Sequence, residues 1–439
     1  MPLIHLPSET PAFRRPQTRK QEQDKPNENR DCPRFICRLK HPLSDGLKPE
    51  NKNRTNLMKI VIAPDSFKES LSAAEAANAL ETGLKTVFPH AQYVKIPMAD
   101  GGEGTVQSLV DATQGKLAAA EVTAPCGNRT AAFFGISGNG QTAFIEMAAA
   151  SGLHLVPNGQ RNPLAATSYG TGELILAALD SGAGKIILGI GGSATNDGGA
   201  GMLQALGARF FDRSGCLIPA GLAGGSLADI ARVDFSQLDH RLHHTAFEIA
   251  CDVNNPLCGG RGASAVFGPQ KGATPEMIAV LDQNLRHYAD IIQRDLHLDI
   301  ASPAGSGAAG GMGGGLLTLP NVQLKAGVEI VIDAVKLAQQ VRDADWVITG
   351  EGRIDAQSIA GKTPVGVART AKRFHKPVIA VAGSLREDYE VVYEHGIDAV
   401  FPIIRQAAAL PETLAGGYAN LVSAAQNIAR LIRLHQPHR

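Results

Sequence analysis

From Met58 onward, short apolar runs alternate with longer stretches in which apolar residues recur every three or four positions. The first run predicts a strand over 59–63 and a loop over 64–70. A helix over about 72–87 follows, with Ser72 and Glu75 spaced as a capping box at its start. A strand over 92–96 and a helix ending near 112 complete this β/α section. Strand-like segments near 118–124, 131–136 and 142–147 then follow one another with no helix between, which predicts an antiparallel or mixed section. A helix near 168–181 leads to a strand over 186–190 and a helical pattern from about 198 to 206. Strands over 208–212 and 247–251 and a long amphipathic helix over about 275–296 come next. After a Gly/Ala run over 301–317, regular alternation returns: strands near 346–349, 378–383 and 399–403, and helices near 364–374, 385–394 and 416–433. Regular β/α ends around a mixed middle predict an α/β fold in which one discontinuous domain receives a second as an insertion.

Residues 1–57 break this pattern. They are rich in Pro, Arg, Lys, Asn and Gln, with few apolar positions and no period, so they cannot bury enough surface to offset their ordering entropy. Met58 is the expected functional start, with a disordered tail or an over-extended reading frame before it. The basic residues of this segment are interleaved with acids, which weighs against a nucleic-acid-binding arm.

Composition narrows the function. The formal net charge of the 439 residues is zero, which argues against a general nucleic-acid or membrane-surface role. No apolar run has the length of a membrane span, and the N-terminus lacks a signal-peptide apolar segment. The six cysteines are scattered without paired metal-type spacing, as expected of reduced cytoplasmic thiols. The 48 glycines predict many tight βα turns and close backbone approaches.

The strongest local signal is Gly191-Gly192-Ser193-Ala194-Thr195-Asn196-Asp197, between the strand over 186–190 and the next helix. Glycines and a helix start free backbone N–H groups for an anion, typically phosphate. A carboxylate in such a loop repels phosphate unless a metal or a proton transfer involves it, so Asp197 points to phosphoryl transfer. Asp65, Asp100, Asp252, Glu351 and Asp355 also stand in or beside turns that follow apparent strands, where α/β folds hold Mg²⁺ and hydroxyl groups. Each alone reads as a helix cap; six in equivalent places do not. Lys68, Lys271 and Arg353 are the nearby cations.

Two competing motifs need weighing. Gly189 to Ala194 satisfies G-x-G-x-x-A, and Asp212 falls near the place of a ribose-binding acid, which would make the protein an NAD(P)-dependent oxidoreductase acting on a small hydroxy acid. The Thr-Asn-Asp-Gly-Gly continuation is unlike the apolar helix start of that motif. Residues 356–363 miss the Walker A pattern only at Ala356, where the backbone freedom of glycine is needed; Lys362 reads either as a phosphate or carboxylate contact or as an exposed helix-start lysine. No Ser sits in a G-x-S-x-G elbow, and His154 and His375 lack catalytic spacing.

Five separated motifs, in order, resemble the glycerate kinase type-1 family. They are Met58 to Ser72, Ala99-Asp100-Gly101-Gly102-Glu103-Gly104-Thr105, Gly191 to Gly201, Thr349-Gly350-Glu351-Gly352-Arg353-Ile354-Asp355 and Gly361-Lys362-Thr363-Pro364. The likeness spans roughly 58–435. It implies ATP-dependent phosphorylation of D-glycerate, usually to 2-phosphoglycerate. It also implies a Rossmann-like parallel-sheet domain split across both ends, here 58–124 plus 326–435, with a mixed α/β domain, 125–325, inserted. The expected partners are D-glycerate and ATP with Mg²⁺, with no nucleic acid or membrane; a homodimer is allowed for.

Phosphoryl transfer calls for positioning and charge neutralisation more than covalent chemistry. Asp197 is the first candidate to accept the proton of the substrate hydroxyl, Asp252 the second, and Lys68 a third catalytic candidate. Gly191, Gly192, Ser193, Thr195 and Asn196 are expected to line the anion cradle, with Gly101, Gly102 and Lys362 also binding. Ser66, Lys68 and Arg353 are expected at the glycerate carboxylate or the γ-phosphate. Asp100, Glu103, Glu351 and Asp355 are the metal candidates.

Overall fold

The computed structural model describes residues 57–434 apart from Glu103 and Ala360. The expectations for the N-terminal segment before Leu57, and the metal-ligand expectation for Glu103, lie outside the described residues.

The strands, in order, are β1 (Lys59–Pro64), β2 (Gln92–Lys95), β3 (Lys116–Thr123), β4 (Arg129–Ile136), β5 (Thr142–Glu146), β6 (Lys185–Gly189), β7 (Arg209–Phe211), β8 (Arg232–Asp234), β9 (Ala246–Ala250), β10 (Val322–Lys325), β11 (Trp346–Ile354), β12 (Val378–Leu385) and β13 (Ala399–Pro402). Chain-terminal strands form one parallel sheet, in the order β13-β12-β11-β1-β2. β1 lies inside this sheet with every residue buried, which explains its unbroken apolar run. Side-chain alternation sends Ile60 and Ile62 to one face, against Leu80 and Leu84 of the helix Ala73–Lys85 and Leu421 and Ile428 of the helix Gly417–Leu434. Val61 and Ala63 face the other way, toward Val365 and Ala368 of the helix Thr363–Lys372. Ser72 closes its capping box with Glu75 as expected.

The middle of the chain forms a six-stranded sheet in the order β10-β9-β6-β5-β4-β3. Its first four strands are parallel, whereas β3 and β4 form an antiparallel pair and β4 runs antiparallel to β5. The mixed α/β character expected of this region is therefore present. One expected boundary moves, because β3 joins this middle sheet although 58–124 was assigned to the terminal one. The change of sheet falls between the helix Thr105–Ala112 and β3. Phe144, Ile187 and Ala250 of the middle sheet share an apolar layer with Val106, Leu109 and Val328, which joins the two sheets.

Two further expectations change. The 385–394 helix is instead a turn followed by a 3₁₀ segment, Tyr389–His395. The Gly/Ala run is neither a linker nor a ligand cradle: it forms the buried helix Ala308–Leu316, entered through left-handed Ala309, Gly310 and Gly311. A Cβ at Gly310 would lie 2.0 Å from the carbonyl oxygen of Thr195, and one at Gly315 would lie 2.4 Å from that of Gly198. The run exists so that one backbone can pack directly on another. No helix among the described residues is long and apolar enough to cross a membrane.

Candidate active site

The C-terminal ends of β1, β11 and β9 bring acids from both sheets together, where open α/β sheets bind ligands. Asp65 follows β1. Its Oδ1 accepts the Ser66 N–H at 2.6 Å and its Oδ2 the Thr363 hydroxyl at 2.6 Å. Burial, then the charge of Asp100, push its pKa up to about 6, against the pull of Thr363, Ser66 and Lys68. Asp252, two residues beyond β9, accepts one backbone bond, from Gly327 N–H at 2.9 Å. It reaches solvent, yet the protein crowding its carboxylate and the nearby Asp100 raise its pKa to about 6. Left-handed Gly101 and Gly361 allow the close approach: a Cβ on either would sit within 3.9 Å of an Asp252 oxygen. Asp100 itself accepts the Gly102 N–H at 3.2 Å.

Glu351, on β11, borders this group. Burial raises its pKa to about 7, although the Ser358 hydroxyl donates to it at 2.6 Å and Lys362 Nζ stands 3.5 Å away. Beyond it Asp355 is covered by cations: Arg353 Nε at 3.2 Å, Lys362 Nζ at 3.8 Å and Arg386 Nε at 4.0 Å. Arg353 and Arg386 remain half exposed or more, so their outer donors face solvent. Lys68 and Ser66 lie on the loop beside Gly352, with Lys68 exposed. The arrangement can hold an anion on its cationic rim and a hydroxyl among carboxylates of raised pKa.

Asp197, the leading choice for the base, lies apart from this group. Asp197 is fully buried, and its two oxygens accept Ser168 N–H (2.8 Å), Ser168 Oγ (2.7 Å), Gly199 N–H (3.1 Å) and Gly201 N–H (3.3 Å). It ties the loop after β6 to the start of the helix Tyr169–Asp180 and turns no free oxygen to the acid cluster. Thr195 and Asn196 are likewise buried, and Lys271 Nζ donates inward to Ser193 Oγ (2.7 Å) and the Thr195 carbonyl (2.6 Å). Of the expected cradle only Gly191 and Gly192 are exposed. Asp355, a metal candidate from the sequence, is nearly buried, with three cations within 4.0 Å.

The dinucleotide alternative is overturned. β7, which ends beside Asp212, pairs with β8 in a ribbon separate from both sheets, and Asp212 accepts the Ser214 and Cys216 N–H groups of its own turn. The Walker A resemblance also dissolves, since Lys362 caps the helix Thr363–Lys372 after a 3₁₀ turn and points to Glu351. The sequence places Asp65 among the six turn acids without a specific task, and it does not single out Ser358, Thr363 or Arg386. Thr363 stood in a quoted motif; Arg386 carried no signal.

Acids and cations that converge between two sheets of an α/β protein suit a small anionic metabolite carrying a hydroxyl group. Residues 60–433 match the family model described as the glycerate kinase family. The chain is 67% identical over 375 residues to a glycerate kinase of Haemophilus influenzae, covering 85% of this chain and 99% of that one. It is 57% identical to the glycerate 2-kinase of Escherichia coli, covering 86% and 98%. A crystal structure of a protein assigned as glycerate kinase 2 from Salmonella typhimurium LT2 matches with a TM-score of 0.79 at 56% identity, covering 86% of this chain and 99% of that one. The chain belongs to the glycerate kinase family.

Proposed function

We propose that the protein transfers the γ-phosphoryl group of ATP to D-glycerate, at the 2-hydroxyl. Membership of the family and the name of the Escherichia coli relative support the reaction and its position. The observation that carries the assignment to this site is the convergence of Asp65, Asp100, Asp252 and Glu351 beside a cationic rim. Asp252 accepts the hydroxyl proton: it is the accessible member, held by one N–H, and a pKa of about 6 suits a base working near neutrality. Arg353, Arg386, Lys362 and Lys68 draw in the glycerate carboxylate and the transferring phosphoryl oxygens. Gly191 and Gly192 border the path of the remaining phosphates. The terminal and middle sheets act as two domains on either side of the cleft.

Mg²⁺ fits this donor set. The charge of Asp100 raises the pKa of both Asp65 and Asp252, a charge excess that a divalent cation would relieve, and all three are hard oxygen donors. Among the described residues no three acidic, His or Cys groups form a ready-made cage, as suits a cation that keeps water and phosphate oxygens in its shell. Asp100, with Asp65, would hold it, and it would supply neutralisation of charge developing on the phosphates.

ADP release that depends on both D-glycerate and Mg²⁺, followed by NMR of the product, tests the reading. Phosphorus coupled to the C2 proton is expected. Coupling to C3 would move the transfer to the other hydroxyl, and no glycerate-dependent ADP would end the proposal.

A further inference from the structure

A second concavity lies on the same side of the middle sheet as the acids. Because β3 is antiparallel to β4, and β4 to β5, the end of β3 lies on the same edge as the ends of β5 and β6. The turn after β3 (Pro125 and Cys126), the segment after β5 (Leu153 to Ala166), Ala194 after β6 and Lys271 enclose a cavity of about 140 Å³ there. Its wall is largely apolar, and its volume is comparable to the ~150 Å³ cavity that admits one benzene ring. Two cations border it: buried Lys271, and Arg161, whose enclosed Nε has no partner.

We propose that this cavity takes the purine base of the nucleotide, with the ribose at its mouth, an assignment that rests on the kinase reading above. Its wall is continuous with the exposed glycines, since Leu153 N–H donates to the Gly192 carbonyl at 2.8 Å and Gly152 bridges to Ser193. Gly189, five residues before Ala194, touches the loop of Asp100: a Cβ there would meet the Gly101 carbonyl at 2.7 Å. Five residues span at most about 18 Å, a length that a nucleoside triphosphate covers. A triphosphate leaving the cavity thus crosses Gly191 and Gly192 and ends at the acid cluster. Lys271 and Ser193, joined by their hydrogen bond, hold that loop in shape. The larger groove that includes Lys95, Lys185 and Lys336 is the rival, but it opens at the start of β5 and β6, away from the edge that carries the acids.

Ala165 sits exposed at the mouth of the cavity and belongs to none of the catalytic groups. Ala165→Trp is expected to raise KM for ATP about tenfold or more while KM for D-glycerate stays within about twofold. In parallel, irradiation of the wild-type enzyme with 8-azido-ATP is expected to label a peptide within 125–126 or 153–166, and ATP to protect it. This second arm decides the matter if the tryptophan variant does not fold. An active wild type with an unchanged KM for ATP in Ala165→Trp, or with its label in 94–97 or 333–340, overturns the subsite and leaves the kinase reading standing. A wild type without glycerate-dependent ADP release removes both.

Discussion

Two neighbouring strands of the middle sheet, β6 and β9, each lead into a loop with an aspartate, and the two loops do opposite things. The Asp197 carboxylate accepts four donors, three on Oδ2 and one on Oδ1, and has no exposure. Asp252 accepts a single N–H and reaches solvent among other acids. Burial pushes both pKa values up, but in Asp197 four hydrogen bonds oppose the shift, whereas beside Asp252 the charge of Asp100 adds to it. A buried carboxylate held by four donors can tie a fold together; an exposed one held by a single N–H can exchange a proton with a substrate.

This contrast breaks most sharply on paired substitutions. Asp252→Asn is expected to lower kcat by about 10²- to 10⁴-fold with the fold intact, measured by ADP release at saturating substrates. Turnover within about threefold of wild type would remove Asp252 from the role of base. Asp197→Asn is expected to act on stability instead. It turns an amide toward backbone donors and removes the charge that favours the protonated form of buried Lys271, whose pKa burial already lowers to about 7, at a cost of about 1–3 kcal/mol in urea unfolding. Its kcat per folded molecule should stay near wild type; a loss as large as that of Asp252→Asn would reverse the two roles.

The backbone contact beneath the Asp197 loop offers a gentler test. Gly310→Ala meets the Thr195 carbonyl and a left-handed φ of 70°, and about 1–3 kcal/mol of destabilisation is expected in the same measurement. The smallest effects come from pH. Asp252 must be ionised to accept a proton, so kcat/KM should fall about tenfold per unit below pH 6 and level off above it; a flat profile down to pH 5 would contradict the assignment. The stability sign is the reverse of a paired acid. With folded pKa values raised from 3.8 to about 6, Asp65 and Asp252 bind protons more tightly in the folded state. Their contribution therefore becomes less favourable as pH rises from about 4 to about 6. The melting temperature of Asp252→Asn relative to wild type should accordingly be higher at pH 7 than at pH 4.

The sequence made the strands legible where burial is two-sided: Ile60 to Ala63 read as an unbroken apolar run because helices cover both faces. The mixed section was legible from three strands without intervening helices. The acid cluster was half legible, because glycine beside an acid marks a turn but not what the acid faces. Asp197 differs from Asp252 through Ser168, 29 positions away in sequence, which no local spacing reveals. Asp355 likewise acquires Arg386 from the loop after β12. The glycine run at 305–315 misled for the same reason, since its partner, residues 195–199, lies more than a hundred positions earlier.

The pairing of β1 with β11 has a consequence for synthesis. Ile60 lies opposite Trp346, so the first strand to leave the ribosome lacks one of its two neighbours for the next 286 residues. Loop closure over that length makes the terminal sheet the slow, high-contact-order part of the molecule, and the middle sheet can assemble before it. The cluster of Asp65, Asp100, Asp252 and Glu351, which draws on both sheets, would come into being only at the end of folding.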